Sequence, residues 1–198
     1  MEIKFHYNKT TIQQFRKQLA IRQKALPILK NKETALRQEE KRSVNVLTDL
    51  LETKLQLEER LVQYERFWME FPNIISLKDS ALYYKTIVGV KVPEIKSISF
   101  QVVELAWWHY PAWLPAGVDI LQQVITLDME IKVKKLQIDL LKTARKKTTQ
   151  KVNLYEKVQI PAYESGILKV KRFLEDKENI SKAGQKIVKK RKERREAV

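Results

Sequence analysis

Side chains that could carry out acid–base, nucleophilic or metal chemistry are few and scattered in this 198-residue sequence. There is no cysteine, so disulfides, thiolate chemistry and cysteine–metal sites are excluded. The two histidines, His6 and His109, are far apart, so a zinc site would have to rely on carboxylates. We interpret the adjacent glutamates at 39–40 and 58–59 as solvated on a charged helix face. With no glycine-rich phosphate loop or Ser/His/Asp set, we expect no catalytic residue, no metal and no cofactor.

Basic charge is the stronger chemical signal. Lys and Arg number 39 against 24 Asp and Glu, a formal charge of +15, which suits nucleic acid, anionic lipid or an acidic protein cavity. The charge is dense near the C-terminus, at Lys182, Lys186, Lys189, Lys190, Arg191, Lys192, Arg194 and Arg195. This run fits a solvated helix end, a contact with acidic side chains of a partner, or phosphate binding.

An apolar rhythm of alternating three- and four-residue steps predicts that the first element is a long helix over residues 10–71. The rhythm begins at Ile12 and Phe15, averages 3.5 residues, and is typical of a coiled-coil seam. At 1.5 Å per residue the helix would be roughly 90 Å long. We expect Pro72 to end it and Pro27 to kink it without breaking it.

Candidate N-caps are Asn8, Thr10 and Thr11. The polar exceptions in the seam are Arg22, Glu33, Glu40, Ser43 and Lys54, and buried polar residues of this kind can set helix register.

The middle of the chain, residues 72–117, has a different pattern. Apolar side chains alternate with polar ones at 90–92 and again at 98–102, which predicts a short two-stranded hairpin with Pro93 at its turn. A lone hairpin is marginal in water, so we expect it to dock on the helices or on a partner. Residues 107–113 hold three tryptophans and a tyrosine, a composition that suits either an interface or packing under the hairpin.

A second apolar stripe predicts that residues 118–198 form another long helix. Its members are Leu121, Val124, Ile131, Ile138, Leu141, Val152 and Tyr155. Pro161 interrupts the stripe, and we predict a kink there at which Asn153 and Glu156 satisfy freed backbone groups. Two helices of similar length joined by a compact middle favour an antiparallel pair. The predicted fold is therefore mostly α: a long antiparallel two-helix coiled coil, formed by segments 1–71 and 118–198, with a short β-hairpin region at 72–117.

Three motifs in order resemble a known family. The segment Gly89-Val90-Lys91-Val92-Pro93 resembles the Gly-Val-x-Val-Pro of the D subunit of V-type and A-type rotary ATPases. Val152-Asn153-x-x-Glu156, followed by Ile160-Pro161, is similar to that family's Val-Asn-x-Leu-Glu and Ile-Pro signature. Upstream, residues 28–32 (Ile-Leu-Lys-Asn-Lys) resemble its Leu-Leu-Lys-x-Lys run. Departures occur at Ala25, Glu33, Gln150, Lys151 and Tyr155, where the family usually has Gly, Arg, Arg, Arg and Leu, and residues 107–113 match no family motif.

The resemblance implies a non-catalytic central shaft whose two helices rise into a ring of catalytic A and B subunits. It implies that the middle, through Gly89, Val90, Val92 and Pro93, binds the F subunit. It also implies that the lower end meets the C subunit, called d in eukaryotes, which caps the membrane rotor ring. For the basic end, we expect Lys182, Lys186, Lys189, Lys190, Arg191 and Arg194 to contact the catalytic ring.

Two other functions are compatible with the composition: a basic coiled coil that binds nucleic acid, and a coiled-coil scaffold that dimerises. Neither requires the family motifs, so the rotor subunit is the leading interpretation, without a nucleic-acid partner.

The longest apolar run, residues 98–108, is too short for the ~20 residues of a membrane span, and the first nine residues lack the apolar core of a signal peptide. We therefore expect a cytoplasmic protein without membrane insertion, peripheral to the membrane within the V1/A1 sector.

Overall fold

The computed structural model describes residues 6–62, 64–103 and 111–196. Its elements in chain order are helix α1 (Lys9–Val62), helix α2 (Glu65–Met69), strand β1 (Ile75–Ile87), strand β2 (Val90–Val102), helix α3 (Leu114–Asn153), a π-helix (Leu154–Gln159) and helix α4 (Ile160–Glu196). This order confirms the predicted fold class of long N- and C-terminal helices with a β-hairpin between them.

Helix α1 begins with a side-chain cap and ends earlier than predicted. The Asn8 Oδ1 atom accepts a hydrogen bond from the Thr11 backbone N–H at 2.7 Å, so Asn8 is the N-cap among the three candidates. The helix continues through Pro27, as expected. The prediction that α1 reaches residue 71 is wrong, because α1 ends at Val62. A hydrogen-bonded turn at Tyr64 leads into the separate helix α2. The apolar pattern alone did not reveal this turn, since Tyr64, Trp68 and Phe71 keep the helical spacing across it.

The hairpin is longer than predicted and turns at a different place. β1 and β2 have 13 residues each and pair antiparallel from Ile75↔Val102 to Ile87↔Val90. The turn is Val88-Gly89, with φ of 51° and 77°. The prediction that Pro93 forms the turn is wrong, because Pro93 lies within β2 opposite Tyr84. A two-stranded sheet leaves each strand one unpaired edge, so a proline needs no ladder hydrogen bond on that side.

The described chain divides into two compact units. One contains residues 6–31 and 148–196, and the other contains the described residues between 32 and 147. In the first unit, Phe15 stacks edge-on against Tyr163, with ring centroids 5.4 Å apart, and Lys30 pairs with Glu156. As the residue number in α1 rises from 15 to 30, the number of the residue that it contacts falls from 163 to 156, so the two helical segments run antiparallel within this unit.

The second unit shows the same antiparallel order and carries the hairpin. Glu40 pairs with Arg145, and Lys54 pairs with Asp128. The tip of the hairpin packs on α1 and α3 through a buried cluster of Leu36, Val92 and Leu141. Partly buried side chains surround this cluster: Ile87, Val88, Val90 and Ala144. A second cluster of Ile74, Leu114 and Val118 joins the base of the hairpin to the start of α3. The hairpin is thus anchored at both ends within the unit, as its marginal stability alone requires.

The seam predicted from the 3.5-residue rhythm matches the burial of α1. Every position of the rhythm from residue 12 to residue 61 is buried or half-buried, including the five polar exceptions. Between these positions α1 is mostly exposed. The period of apolar residues therefore identified the face of α1 that packs against the rest of the chain.

Candidate partner-binding surfaces

Polar residues of the α1 seam contact helical residues of the C-terminal half of the chain. The Arg22 Nε atom donates to Gln159 Oε1 at 2.5 Å, and its guanidinium lies 4.7 Å from the Tyr163 ring centroid. Arg22 also donates to Gln18 and lies 5.7 Å from the Tyr155 ring centroid. A cation held by amides and aromatic faces needs no carboxylate partner to be tolerated in a half-buried seam. Arg22 therefore acts as a cross-helix contact within its unit.

Two further seam exceptions form ion pairs across the helices of the other unit. Arg145 Nε lies 2.5 Å from Glu40 Oε2, and the Glu40 side chain is only 17% exposed. Lys54 Nζ lies 2.6 Å from Asp128 Oδ1 and 3.4 Å from Glu58 Oε1. The hydrogen bond from Lys54 to Asp128 is the main reason that the pKa of Lys54 is raised above its ordinary value. Each ion pair can form in only one alignment of the helices, so these contacts favour one register.

The predicted kink region contains the π-helix. Ile160 N–H bonds to the Tyr155 carbonyl five residues earlier, which is the π pattern. Pro161 is the second residue of α4; it has no N–H to give to the carbonyl four residues back, and its ring would clash there. The wider turn that precedes it accommodates both effects.

The other two residues of this region differ in their contacts. The Glu156 carboxylate accepts a hydrogen bond from Lys30 Nζ at 2.6 Å. Asn153 is exposed, has α-helical backbone angles and makes no side-chain cap bond. The expectation that Asn153 and Glu156 satisfy backbone groups freed by Pro161 stays a prediction, as does the kink.

The residues predicted to bind the F subunit lie at the tip of the hairpin. Gly89 is exposed, and a side chain built on it would meet Lys32 Nζ at 3.4 Å. Val90 is half-buried, while Val92 is 1% exposed and Pro93 is buried. The structure thus brings these four residues together, but it places two of them inside the unit.

Two unusual features hold this tip in place. Val88 has a positive φ, which is unfavourable for a β-branched residue, and its side chain packs on the Leu36 cluster. The buried Gln137 side chain donates from Nε2 to the Pro93 carbonyl at 2.5 Å. Lys134 in turn donates to Gln137 Oε1 at 2.9 Å. Sequence reasoning missed Gln137, although a lone glutamine at a helix position flanked by apolar residues is the available signal.

Strand β1 carries the exposed side of the hairpin. Its exposed large side chains are Leu77, Leu82, Tyr83 and Tyr84, of which Tyr84 is 70% exposed. Tyr83 donates its hydroxyl hydrogen to Glu94 on the opposite strand, and this bond raises the pKa of Tyr83 above its ordinary value. Two register irregularities, near Leu77 and near Leu82, interrupt the strand. Charged residues and bulges of this kind protect an edge strand from uncontrolled pairing.

The predicted catalytic-ring contacts lie on the last part of α4. Every residue from 175 to 195 is exposed, so Lys182, Lys186, Lys189, Lys190, Arg191 and Arg194 all face solvent. Lys182 pairs with Glu178 at 2.8 Å and lowers the pKa of that carboxyl. Lys189 lies 3.9 Å from Glu193. The other basic side chains of this segment are exposed to solvent, as binding of an anionic partner requires.

An aromatic cavity of about 340 Å³ lies near the start of α3. It is lined by Tyr64, Phe67, Trp68, Trp113, Ala116, Gly117 and Ile120. Gly117 is required here, because a Cβ atom would come within 2.9 Å of the Phe71 ring. Of the predicted aromatic cluster at 107–113, Trp113 is half-buried against Phe67, with ring centroids 5.3 Å apart. Residues 107–110 of that cluster lie outside the described residues.

Metal sites and membrane-spanning helices are both absent from the part of the chain that the structure describes. No group of three or more His, Asp or Glu side chains is arranged to hold a metal ion there. Nor does any helix in those residues combine the length and apolar character that crossing a membrane requires.

These observations define a class: a mostly helical protein with a β-hairpin between its long N-terminal and C-terminal helices, whose distinctive residues lie on surfaces and in cross-helix contacts. Comparison with known families agrees with that class. The family model for the ATP synthase D subunit matches residues 11–190, so the chain belongs to the ATP synthase D-subunit family.

Individual relatives carry the same description. A V-type ATP synthase D subunit from Borreliella burgdorferi is 35% identical over 119 residues, which are 60% of this chain and 59% of that relative. The match therefore spans about three-fifths of the length of that relative. A V-type ATP synthase D subunit from Chlamydia pneumoniae is 23% identical over 205 residues, covering 100% of this chain and 97% of the relative.

Proposed function

We propose that this chain is the non-catalytic central rotor shaft of a V/A-type proton- or sodium-translocating ATPase. It would couple ATP hydrolysis or synthesis in a ring of A and B subunits to rotation of the membrane ring. The family match over residues 11–190 is the observation that carries this proposal, because it includes both long helical segments and the hairpin. In the cell, the protein would be cytoplasmic and peripheral to the membrane.

The cross-helix contacts support a mechanical role. A shaft that transmits torque must resist sliding of one helix along the other. Within its own unit, each of the contacts Arg22–Gln159, Glu40–Arg145 and Lys54–Asp128 would have to break for the helices to slide. Breaking a half-buried pair leaves an uncompensated polar group, so slippage is opposed by more than the apolar seam alone.

The test of the proposal is co-purification from a reconstituted complex. The tagged chain should retain the A, B, F and C/d subunits, and the complex without it should hydrolyse ATP without moving ions. Retention of duplex DNA with a steep salt dependence, together with no retention of A and B, would favour the nucleic-acid alternative. The exposed basic end of α4 makes that comparison necessary.

For the F subunit, we assign the contact to the exposed side of the hairpin. Val92 and Pro93 are buried, so in this proposal they position the hairpin, while Gly89, Val90 and strand β1 face the partner. The unpaired edge of β1 can accept a further strand or a covering helix.

Charge placed on strand β1 tests this surface. Replacing Leu82 and Tyr84 with Asp should abolish co-purification with the F subunit, because a buried apolar contact would then have to accommodate two carboxylates. The matched control is Thr86→Asp, which adds charge to the same strand without removing a large apolar side chain. Equal binding of the F subunit by both variants would exclude this surface.

For the C/d subunit, we assign the contact to the aromatic cavity region. Tyr64, Phe67 and Met69 are 48%, 45% and 83% exposed, and aromatic and methionine side chains are enriched at interfaces. Replacing Tyr64 and Met69 with Ser should weaken binding of the C/d subunit and leave binding of the F subunit unchanged. Loss of both partners together would point to misfolding instead.

A further inference from the structure

The buried face of the C-terminal helical segment differs in spacing from that of α1 at one place. In α1, steps of three and four residues alternate from Ile12 to Leu29. The C-terminal segment has a series of buried or half-buried positions at Thr148, Val152, Tyr155, Gln159, Tyr163, Gly166 and Val170. In this series two four-residue steps are consecutive, from Tyr155 to Gln159 and from Gln159 to Tyr163. Strict alternation would need one residue fewer here.

Contacts of Arg22 show that these positions face α1. Its Nε atom donates to Gln159 Oε1, and its guanidinium lies 5.7 Å and 4.7 Å from the ring centroids of Tyr155 and Tyr163. Each residue of a regular α-helix turns by about 100°, so eight residues would turn Tyr163 about 80° away from Tyr155. Both rings nevertheless lie beside one guanidinium. The helix therefore takes up the excess rotation between them.

The π-helix Leu154–Gln159 lies where the extra residue falls. Hydrogen bonds in a π-helix join residues five apart instead of four, so a π turn holds about one residue more than an α turn. One residue is also the excess that the two consecutive four-residue steps contain. The π-helix thus accounts for the change in spacing.

Packing beyond the π-helix requires one register. A Cβ atom on Gly166 would lie 2.8 Å from Phe15 Cε2, which is closer than a side chain allows. The neighbours of Gly166 are Ser165 and Ile167, so a shift by one residue in either direction would bring a side chain toward Phe15. Phe15 also stacks edge-on against Tyr163. The excess residue must therefore be absorbed before this contact.

We propose that the π-helix is a register joint, which absorbs the one residue by which the C-terminal segment exceeds the rhythm of α1. Pro161 fixes the position of the joint, because its ring and missing N–H are tolerated directly after a widened turn and not within a regular α-helix. Arg22 fills the seam at the joint, since its long side chain and planar cation can contact an amide and two aromatic rings at once. The joint keeps Gly166 opposite Phe15.

Deletion of one residue tests the joint. In a Pro161→Ala background, removal of the exposed Lys157 restores the 3.5-residue average. The melting temperature of the full chain should then be at least that of Pro161→Ala alone. The matched control removes the exposed Lys24 from α1 in the same background, with the same loss of charge. This control adds a second mismatch and should lower the melting temperature by roughly 5 °C or more. Equal destabilisation by the two deletions, or failure of the Lys157 deletion to fold, would overturn the proposal.

NMR couplings across amide–carbonyl hydrogen bonds of the full chain test the role of Pro161. In Pro161→Ala the extra residue remains, so bonds between residues five apart should persist within 148–166. Exchange broadening should appear there, because the π turn is no longer fixed in one place. Deletion of Lys157 in the same background should leave only bonds between residues four apart and remove the broadening. A continuous α-helix in Pro161→Ala alone would show that the proline causes the π-helix, and the joint would be wrong.

A pair of backgrounds tests Arg22, again on the purified full chain, so the result does not depend on the proposed function. Arg22→Leu should lower the melting temperature of the unmodified chain by about 2–4 °C, because a leucine cannot make the three contacts of the guanidinium. The same substitution should have less than half that effect after Pro161→Ala and deletion of Lys157, because a regular seam accepts an apolar side chain at this position. Equal losses in the two backgrounds would overturn the assignment of Arg22 to the joint.

Discussion

The tip of the hairpin is joined to α1 and α3 by the buried cluster of Leu36, Val92 and Leu141. Within this cluster, Leu36 and Leu141 are 0% exposed. Leu36→Ala would leave a cavity, so the free energy of unfolding should fall by about 2–5 kcal/mol. The control is Leu55→Ala, at a 57% exposed position of the same helix, which should change it by less than about 0.5 kcal/mol. Urea unfolding followed by circular dichroism measures both. Equal effects of the two substitutions would show that the Leu36 cluster does not hold the hairpin.

The Tyr83–Glu94 pair gives a pH dependence with a definite sign. The pKa of Tyr83 is raised mainly by the hydrogen bond to Glu94, so folding favours the protonated phenol. The stabilisation is present below the ordinary pKa of about 10 and is lost as the pH rises through the higher folded value. Glu94→Ala should lower the pKa of Tyr83 toward its ordinary value. Phenolate absorbance, with the Tyr83→Phe signal subtracted, measures this, and an unchanged titration would contradict the assigned pair.

At the scale of the elements, the sequence predicted the features that arise from periodicity and missed those that depend on local backbone geometry. The rhythm through Leu36 and Ser43 located the buried face of α1, because burial in a helix repeats with the turn. The hairpin turn was misplaced, because Pro93 is a common turn residue and Val88 is an unusual one at positive φ. The packing of Val88 on the Leu36 cluster is a long-range contact that favours this turn and that the local sequence does not reveal.

The antiparallel helix pairing makes the Glu40–Arg145 contact testable as a register device. Arg145→Met leaves Glu40 largely buried without its cation, and should lower the free energy of unfolding by about 1–3 kcal/mol. Adding Glu40→Met should recover most of this loss, since both partners are then apolar. The exposed pair Lys171–Glu175 is the control, and Lys171→Met there should have little effect. Additive losses in the double variant would contradict a coupled pair.

At the scale of the whole molecule, charge and partner surfaces were only partly predictable. The basic run from Lys182 onward was evident in the sequence, and the structure shows it fully exposed. Ile180, Ile187 and Val188 are 73%, 56% and 57% exposed, but they were not predicted as a surface, because apolar residues at helical spacing usually indicate packing within the chain. These residues are exposed because α4 continues beyond Phe173, whose ring still packs beside Tyr7.

Ending the chain after Ser181 tests the role of the terminal helix in the molecule. Because residues 175–195 are exposed, the truncated chain should keep the melting temperature of the full chain. In the reconstituted complex, ATP hydrolysis should become less tightly coupled to ion transport, because the segment that we propose to contact the ring is gone. Single substitutions such as Lys186→Ala should change little, since one exposed charge contributes only ~0–1 kcal/mol to a distributed contact. Normal coupling by the truncated complex would exclude a role of the terminal helix in contacting the catalytic ring. Duplex DNA binding by the full chain that the truncation abolishes would then assign the basic segment to nucleic acid.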